Sequence, residues 1–212
     1  MHGCDVALES ILDNVEIASN DTLVFLGDVV DRGPNSRRAL DIILGLQNAC
    51  DVVFVMGNHE EMMLDALSGR GTERWLRFGG ASTLSSYGGD LANVPDTHRE
   101  LLADAVQYWE DDANIGVHAN LEPGVSLADQ QPEWLRWQAL TGMEFPHFSG
   151  KRVLCGHSGI PNGLPAIGDG WVCLDTLAYA GGCLTCLNTE TGAIYQAQQS
   201  GKFRSGICLG DL

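Results

Sequence analysis

The sequence predicts an α/β fold. Thr22–Leu26 and Asp51–Met56 are short runs dominated by β-branched, aromatic and other apolar side chains, which read as buried strands. Each is followed by a loop and then by helical periodicity, and elements that alternate in this way pack as layers of sheet and helix. The first helix spans about Cys4–Leu12, with Val6, Leu8, Ile11 and Leu12 as its apolar positions and Asp5 near its start. Between the first strand and the next helix stands the loop DVVDRGPNS; Ser36–Leu46 then carries a broad apolar face of Ala39, Leu40, Ile42, Ile43, Leu44 and Leu46. GNHE closes the second strand and opens a helix that runs through Met62, Met63, Leu64 and Leu67 to Gly69. From about 72 to 110 the pattern is helical, interrupted at WLRFGG and SSYGGD, and suggests a helical cap over the sheet. Asn114–Ala119, Arg152–His157, Trp171–Leu174, Leu184–Asn188 and Ala193–Ala197 read as further strands, the last two joined by a TETG turn as an antiparallel hairpin. With no linker and no low-complexity stretch, 1–212 is expected to form a single domain.

Composition narrows the possibilities. Hydrophobic residues at 44% and charged residues at 19% describe a globular chain, and no apolar run approaches the roughly 18 residues of a membrane span. The beginning, MHGCDVALES, has neither a basic region nor an apolar core, so a cytoplasmic protein with no membrane partner is expected. A net charge of −16 repels polyanions and argues against a nucleic-acid partner. Seven cysteines, with Cys50, Cys155, Cys173 and Cys208 among apolar neighbours, fit reduced thiols better than a disulfide framework. Cys183 and Cys186 stand three apart in a strand-like stretch, where side chains face opposite sides of the sheet.

Four of the apolar runs end in a polar residue able to bind a metal: LVFLGD in Asp28, VVFVMGN in Asn58, IGVH in His118 and VLCGH in His157. Carboxylate, amide oxygen and imidazole together suit a divalent transition metal. Imidazole favours zinc or iron, and oxygen donors admit manganese. His59 follows Asn58 and cannot easily point at the same ion, but it is placed to serve as a proton donor oriented by Asp31. Arg32 offers a planar fork that matches phosphate oxygens. Gly27, Gly33, Gly57 and Gly156 let the backbone bend around this centre, whereas His98 and His147 read as ordinary packed histidines.

GDVVDRG, GNHE, GVHA and CGHS resemble the motif series of the phosphoprotein phosphatase family of metallophosphoesterases. GNHEEMMLDALSGRG followed by WLRFGG is most similar to the bacterial and bacteriophage lambda branch of its serine/threonine phosphatases. The resemblance implies a single calcineurin-like domain, a β-sandwich flanked by helices with a dinuclear centre at the carboxyl ends of the strands. It implies two divalent ions, manganese in the first instance with iron and zinc as alternatives. Asp28 would bridge them, His2 would ligate the first, and Asn58, His118 and His157 the second. His59 would be the acid, Asp31 its orienter and Arg32 a phosphate clamp. The implied reaction is direct attack of a metal-bound hydroxide on phosphorus in a phosphorylated peptide, protein or small phosphate ester.

The chain departs from that pattern in three places. The family's opening GDxHG is represented here only by His2 and Gly3, so its aspartate is missing and the first ion is expected to be weakly held, through truncation or divergence. Met56 stands where many members carry a phosphate-clamping arginine, and Arg136 in EWLRWQAL is the candidate for a remote second clamp, although the usual position falls nearer Gln138 or Ala139. Ser158 replaces a threonine but keeps the hydroxyl. Two other functions fit the motifs: a dinucleoside tetraphosphatase, a type that commonly lacks an aspartate at the position of Asp31, and a non-catalytic binding relative.

Overall fold

A computed structural model describes residues 1–212. Helix α1 (Asp5–Leu12) precedes strand β1 (Thr22–Phe25), helix α2 (Ser36–Leu46), strand β2 (Asp51–Phe54) and helix α3 (Asn58–Leu67). The two strands pair in parallel, from Thr22 opposite Asp51 to Phe25 opposite Phe54, so both chains leave the sheet at the same edge. Helices α4 (Thr72–Trp75), α5 (Ala81–Ser86) and α6 (Asp96–Ala103) occupy the stretch expected to be helical. WLRFGG breaks the helix, as expected: α4 and α5 meet across a kink within Leu76–Gly80, where Gly79 leaves helical geometry at φ 113°.

The remaining strands form two further sheets. Five of them, β3 (Trp109–Glu110), β4 (Asn114–Gly116), β5 (Arg152–Cys155), β6 (Ala166–Gly168) and β7 (Trp171–Cys173), lie in the order β3-β4-β5-β7-β6. The central β4, β5 and β7 run parallel and the two edges antiparallel. A short helix, α7 (Pro132–Trp137), stands between β4 and β5 in the chain. The hairpin of β8 (Leu184–Leu187) and β9 (Ala193–Ala197) is antiparallel as expected, and β10 (Phe203–Cys208) extends it.

Side-chain burial joins these pieces. Val24 and Leu26 of the first strand region lie against Gly116 of β4, which stacks the two-stranded sheet on the five-stranded one. Leu40, Ile43, Phe54, Met63 and Trp75 make one buried cluster, and Ile115, Val153, Cys155 and Trp171 another. Fully burying a large apolar side chain contributes roughly 1.5–3 kcal/mol before entropy is subtracted. A third cluster sets Cys4, which caps α1, and Ala7 and Ile11 within it against Ala178 and Ala197, so the first helix is fixed to the three-stranded sheet. The result is a fold of mixed sheets flanked by helices. All seven cysteines are free thiols, and no helix is long and apolar enough to cross a membrane.

Candidate metal centre

The residues expected at strand ends are brought together. Asp28 follows β1 and Asn58 follows β2, and His118 and His157 follow β4 and β5, so parallel pairing gathers each pair at one edge of its own sheet, and the His118 Nδ1 bond to the Leu26 carbonyl joins the two edges. His2 joins them because its backbone N–H donates to the Asp28 carbonyl at 2.6 Å and that of Gly3 to the Val29 carbonyl at 2.6 Å. Five of the six non-glycine residues with positive φ are site residues: His2, Asp28, Asp31, Arg32 and His157. Left-handed backbone is costly for such residues, and its concentration here marks a place where the surroundings dictate conformation. Gly27, at φ 79°, has no alternative, since a Cβ there would lie 2.7 Å from the Gly57 nitrogen and 2.9 Å from His118 Nδ1.

Two donor groups share Asp28. Ligand atoms of His2, Asp28 and His59 lie within 4.8 Å of one another, and so do those of Asp28, His118 and His157. Asn58 Oδ1 is 3.1 Å from His118 Nε2 and 3.2 Å from His157 Nδ1, which places the amide oxygen in the second group. His59 therefore approaches the first group more closely than its neighbour position to Asn58 suggests.

The donor chemistry fits divalent cations. His118 Nδ1 donates to the Leu26 carbonyl at 2.7 Å and His2 Nδ1 to the Val30 carbonyl at 2.9 Å, leaving each Nε2 lone pair turned toward Asp28 at 3.3 and 3.4 Å. Such bonds on the far nitrogen fix the tautomer that a metal requires. Burial disfavours a charge on Asp28, but His118 and His2 more than offset it and hold its pKa well below the usual carboxylate range. Burial lowers His2 well below the ordinary imidazole value, and burial together with His118 lowers His157 to about 4. Both imidazoles are therefore neutral at physiological pH, the form able to donate to a cation. His118 is the exception: burial opposes its proton, yet Asp28 raises its pKa above the ordinary imidazole value.

The remaining predicted residues divide. His59 Nδ1 donates to Asp31 Oδ2 at 2.7 Å, and its Nε2 is buried without a partner. Arg32 is exposed; its Nη1 donates to His2 Nε2 at 3.0 Å and lies 3.4 Å from the Tyr179 hydroxyl, with the guanidinium 5.1 Å from that ring's centroid. Arg136 is not brought into this group. Its guanidinium is held by Glu61 and Gln107, an ion pair that ties α7 to α3, and it touches none of the ligands. The expected second clamp therefore finds no support in the geometry. Ser158 Oγ accepts the Leu140 N–H at 2.8 Å, and His98 and His147 are satisfied at both ring nitrogens.

Sequence reasoning missed Glu60, Trp75, Thr83 and Tyr179. Glu60 is fully buried, and its carboxylate accepts backbone N–H groups from Asp28, Val29, Val30 and Gly57 at 2.7, 2.7, 3.2 and 3.1 Å. The bond to Gly57 is the reach-back half of a capping box, a signal that GNHE at a helix start carries. Tyr179 packs edge-on to His2 at 4.7 Å between centroids, a contact that no local pattern announces.

A carboxylate shared by two clusters of imidazole and amide donors at parallel strand ends defines the class, a dinuclear metal-dependent fold. The model of the calcineurin-like phosphoesterases matches residues 1–161, and the chain belongs to that family. It is 29% identical over 202 residues to the symmetrical bis(5'-nucleosyl)-tetraphosphatase of Acidovorax ebreus, covering 95% of this chain and 54% of that protein. It is 36% identical over 81 residues to serine/threonine-protein phosphatase 1 of Salmonella typhimurium, 38% of this chain and 36% of that one. The cold-active protein-tyrosine phosphatase of a Shewanella species superposes with a TM-score of 0.66 at 16% identity, covering 96% of this chain and 77% of that chain, which shows the fold. The chain spans about half the length of the curated relatives it matches most fully.

Proposed function

We propose that this chain is a metal-dependent hydrolase of phosphate esters, acting on phosphoserine, phosphothreonine or phosphotyrosine in peptides or on small phosphomonoesters. The observation that supports this reading most is the buried His59–Asp31 pair, with His59 Nε2 unpartnered beside His2 and Asp28. His2, Asp28, Asn58, His118 and His157 would hold two divalent ions, manganese being the first to test. When bound, the ions supply Lewis acidity toward phosphoryl oxygen and acidify a water. Arg32, exposed at the rim, grips the other phosphoryl oxygens with its planar fork. Asp31 fixes the His59 ring and stabilises its protonated form, so that Nε2 holds a proton for the departing ester oxygen. The residues and family membership together support this reading; the helical stretch 72–110 belongs in it as part of one domain.

A second reading, hydrolysis of dinucleoside tetraphosphates, is supported by relatives of that name that cover 95% of the chain. Chemistry separates the two. An alkoxide leaving group is strongly basic and needs a proton, whereas a nucleotide phosphate leaves as a stable anion, so a buried acid pair suits the monoester. We expect turnover of a phosphoserine peptide and of p-nitrophenyl phosphate with manganese. His59→Asn should lower the peptide rate by about a hundredfold or more while leaving bound metal unchanged. Turnover of diadenosine tetraphosphate alone would replace the first reading with the second, and turnover of none of the three would end both.

A further inference from the structure

We propose that Trp75 and Thr83 are positioning residues for His59, acting through Asp31, and that the kink at Gly79 between α4 and α5 serves to deliver them. The inference rests on the reading of His59 as the proton donor. Besides the imidazole, the Asp31 carboxylate receives Trp75 Nε1–H at 3.0 Å from both oxygens and the Thr83 hydroxyl at 2.8 Å from Oδ1. The Asp31 N–H donates to Ser36 Oγ at 3.0 Å and to Thr83 Oγ1 at 2.8 Å. His59, Asp31, Trp75 and Thr83 are all 0% exposed. A carboxylate sealed from water takes its stabilisation from such donors, and with Asp31 in left-handed backbone at φ 71° they also set where its oxygens point.

Local geometry explains why the helix is interrupted here. Residues eight apart in a continuous α-helix are separated by about 12 Å along the axis, too far to meet on one carboxylate. The kink at Gly79, between α4 and α5, brings Trp75 and Thr83 together on the Asp31 carboxylate. Gly80 makes room for the indole, since a Cβ there would lie 2.4 Å from the Trp75 ring atoms. The Gly79 carbonyl accepts the Arg32 N–H at 3.1 Å. The kinked junction of α4 and α5 thus supports both the phosphate-gripping arginine and the orienter of the acid.

The test uses Trp75→Phe, Thr83→Val and Gly80→Ala in the full chain, with Trp137→Phe as the control, because Trp137 donates to Glu61 and not to Asp31. In metal-free protein with 15N-labelled imidazoles, the His59 Nδ1–H, identified by its loss in His59→Asn, reports the bond to Asp31. Its exchange with water should accelerate by about tenfold in Trp75→Phe and Thr83→Val, the equivalent of one charge-assisted hydrogen bond, and stay unchanged in the control. With manganese, the ratio of kcat on p-nitrophenyl phosphate to kcat on a phosphoserine peptide should rise by about fivefold or more in these variants at unchanged KM, since only the poor leaving group needs the acid. Nδ1–H exchange that matches the wild type in both Trp75→Phe and Thr83→Val would overturn the proposal, as would equal losses on both esters. If the wild type cleaves neither ester, the hydrolase reading fails, and the exchange measurement alone decides whether Trp75 and Thr83 position His59.

Discussion

Both carboxylate oxygens of Glu60 are committed to backbone amides, three of them, from Asp28, Val29 and Val30, in the segment that presents Asp28 and the fourth from Gly57. Burial and the charge of Asp28 raise the Glu60 pKa above the usual carboxylate value, while the N–H groups favour the ionised form. The side chain therefore acts as a template around which the strand end bends into left-handed backbone. Glu60→Gln exchanges one acceptor oxygen for a donor that would face other donors. The variant should lose about 3 kcal/mol of stability in urea unfolding and bind manganese more weakly; a loss within experimental error would show that water or a shifted backbone replaces the carboxylate. Asp28, Asp31 and Arg32 were legible in the sequence because each residue type announces its chemistry. Glu60 was half legible, through its capping position, and Trp75 and Thr83 were not, because their role depends on a tertiary contact across 44 and 52 residues of chain.

At the level of elements, the two strand–loop–helix units and the β8–β9 hairpin were readable from pattern, and Ser36–Leu46 was read to the residue. What escaped were elements without a pattern of their own. Strands β3 and β6 have two and three residues, too few for alternation to register. Strand β10 carries a register shift between Arg204 and Ile207 and Gly206 at φ 82°, features that read as turn. The break at WLRFGG, by contrast, was legible because its two glycines punctuate the helical pattern, and Gly79 kinks the chain there at φ 113°. The junction of α2, α5 and α6 is tertiary: His98 Nε2–H donates to Asp41 Oδ1 at 3.0 Å and Nδ1 accepts the Tyr87 hydroxyl at 2.6 Å, while Arg37 covers the Tyr87 ring. Burial lowers the His98 pKa, with Arg37 adding to the shift and Asp41 opposing it. The unfolded chain then binds the proton more readily, so this junction contributes stability that is present at neutral pH and lost as pH falls through the ordinary imidazole value near 6.5 and below. Urea midpoints at about pH 7.5 and about pH 5.5 should differ less in His98→Gln than in the wild type. An equal difference in the two proteins would remove His98 from the acid response.

The whole molecule carries a net charge of −16, yet the proposed substrate is itself an anion. Long-range repulsion should slow encounter, and Arg32 at the rim can reverse it only at close range. Raising salt from about 20 to about 150 mM should therefore increase kcat/KM for a phosphopeptide by screening the approach, the opposite of an electrostatically steered enzyme. A steady decrease would mean that local positive potential at the site dominates the field of the molecule. The His118 side chain is bonded to Leu26 across 92 residues, and His157 reaches Asn58 across 99. Contacts of such sequence separation close large loops, and loop closure is the slow part of building a topology. A nascent or partly refolded chain that already owns β1 and β2 would have Asp28 and Asn58 in place without the two imidazoles that complete the second cluster. Metal capture at the proposed centre would then be a late event in the life of the chain, and an ion bound there would stabilise the finished fold without guiding the early steps that make it.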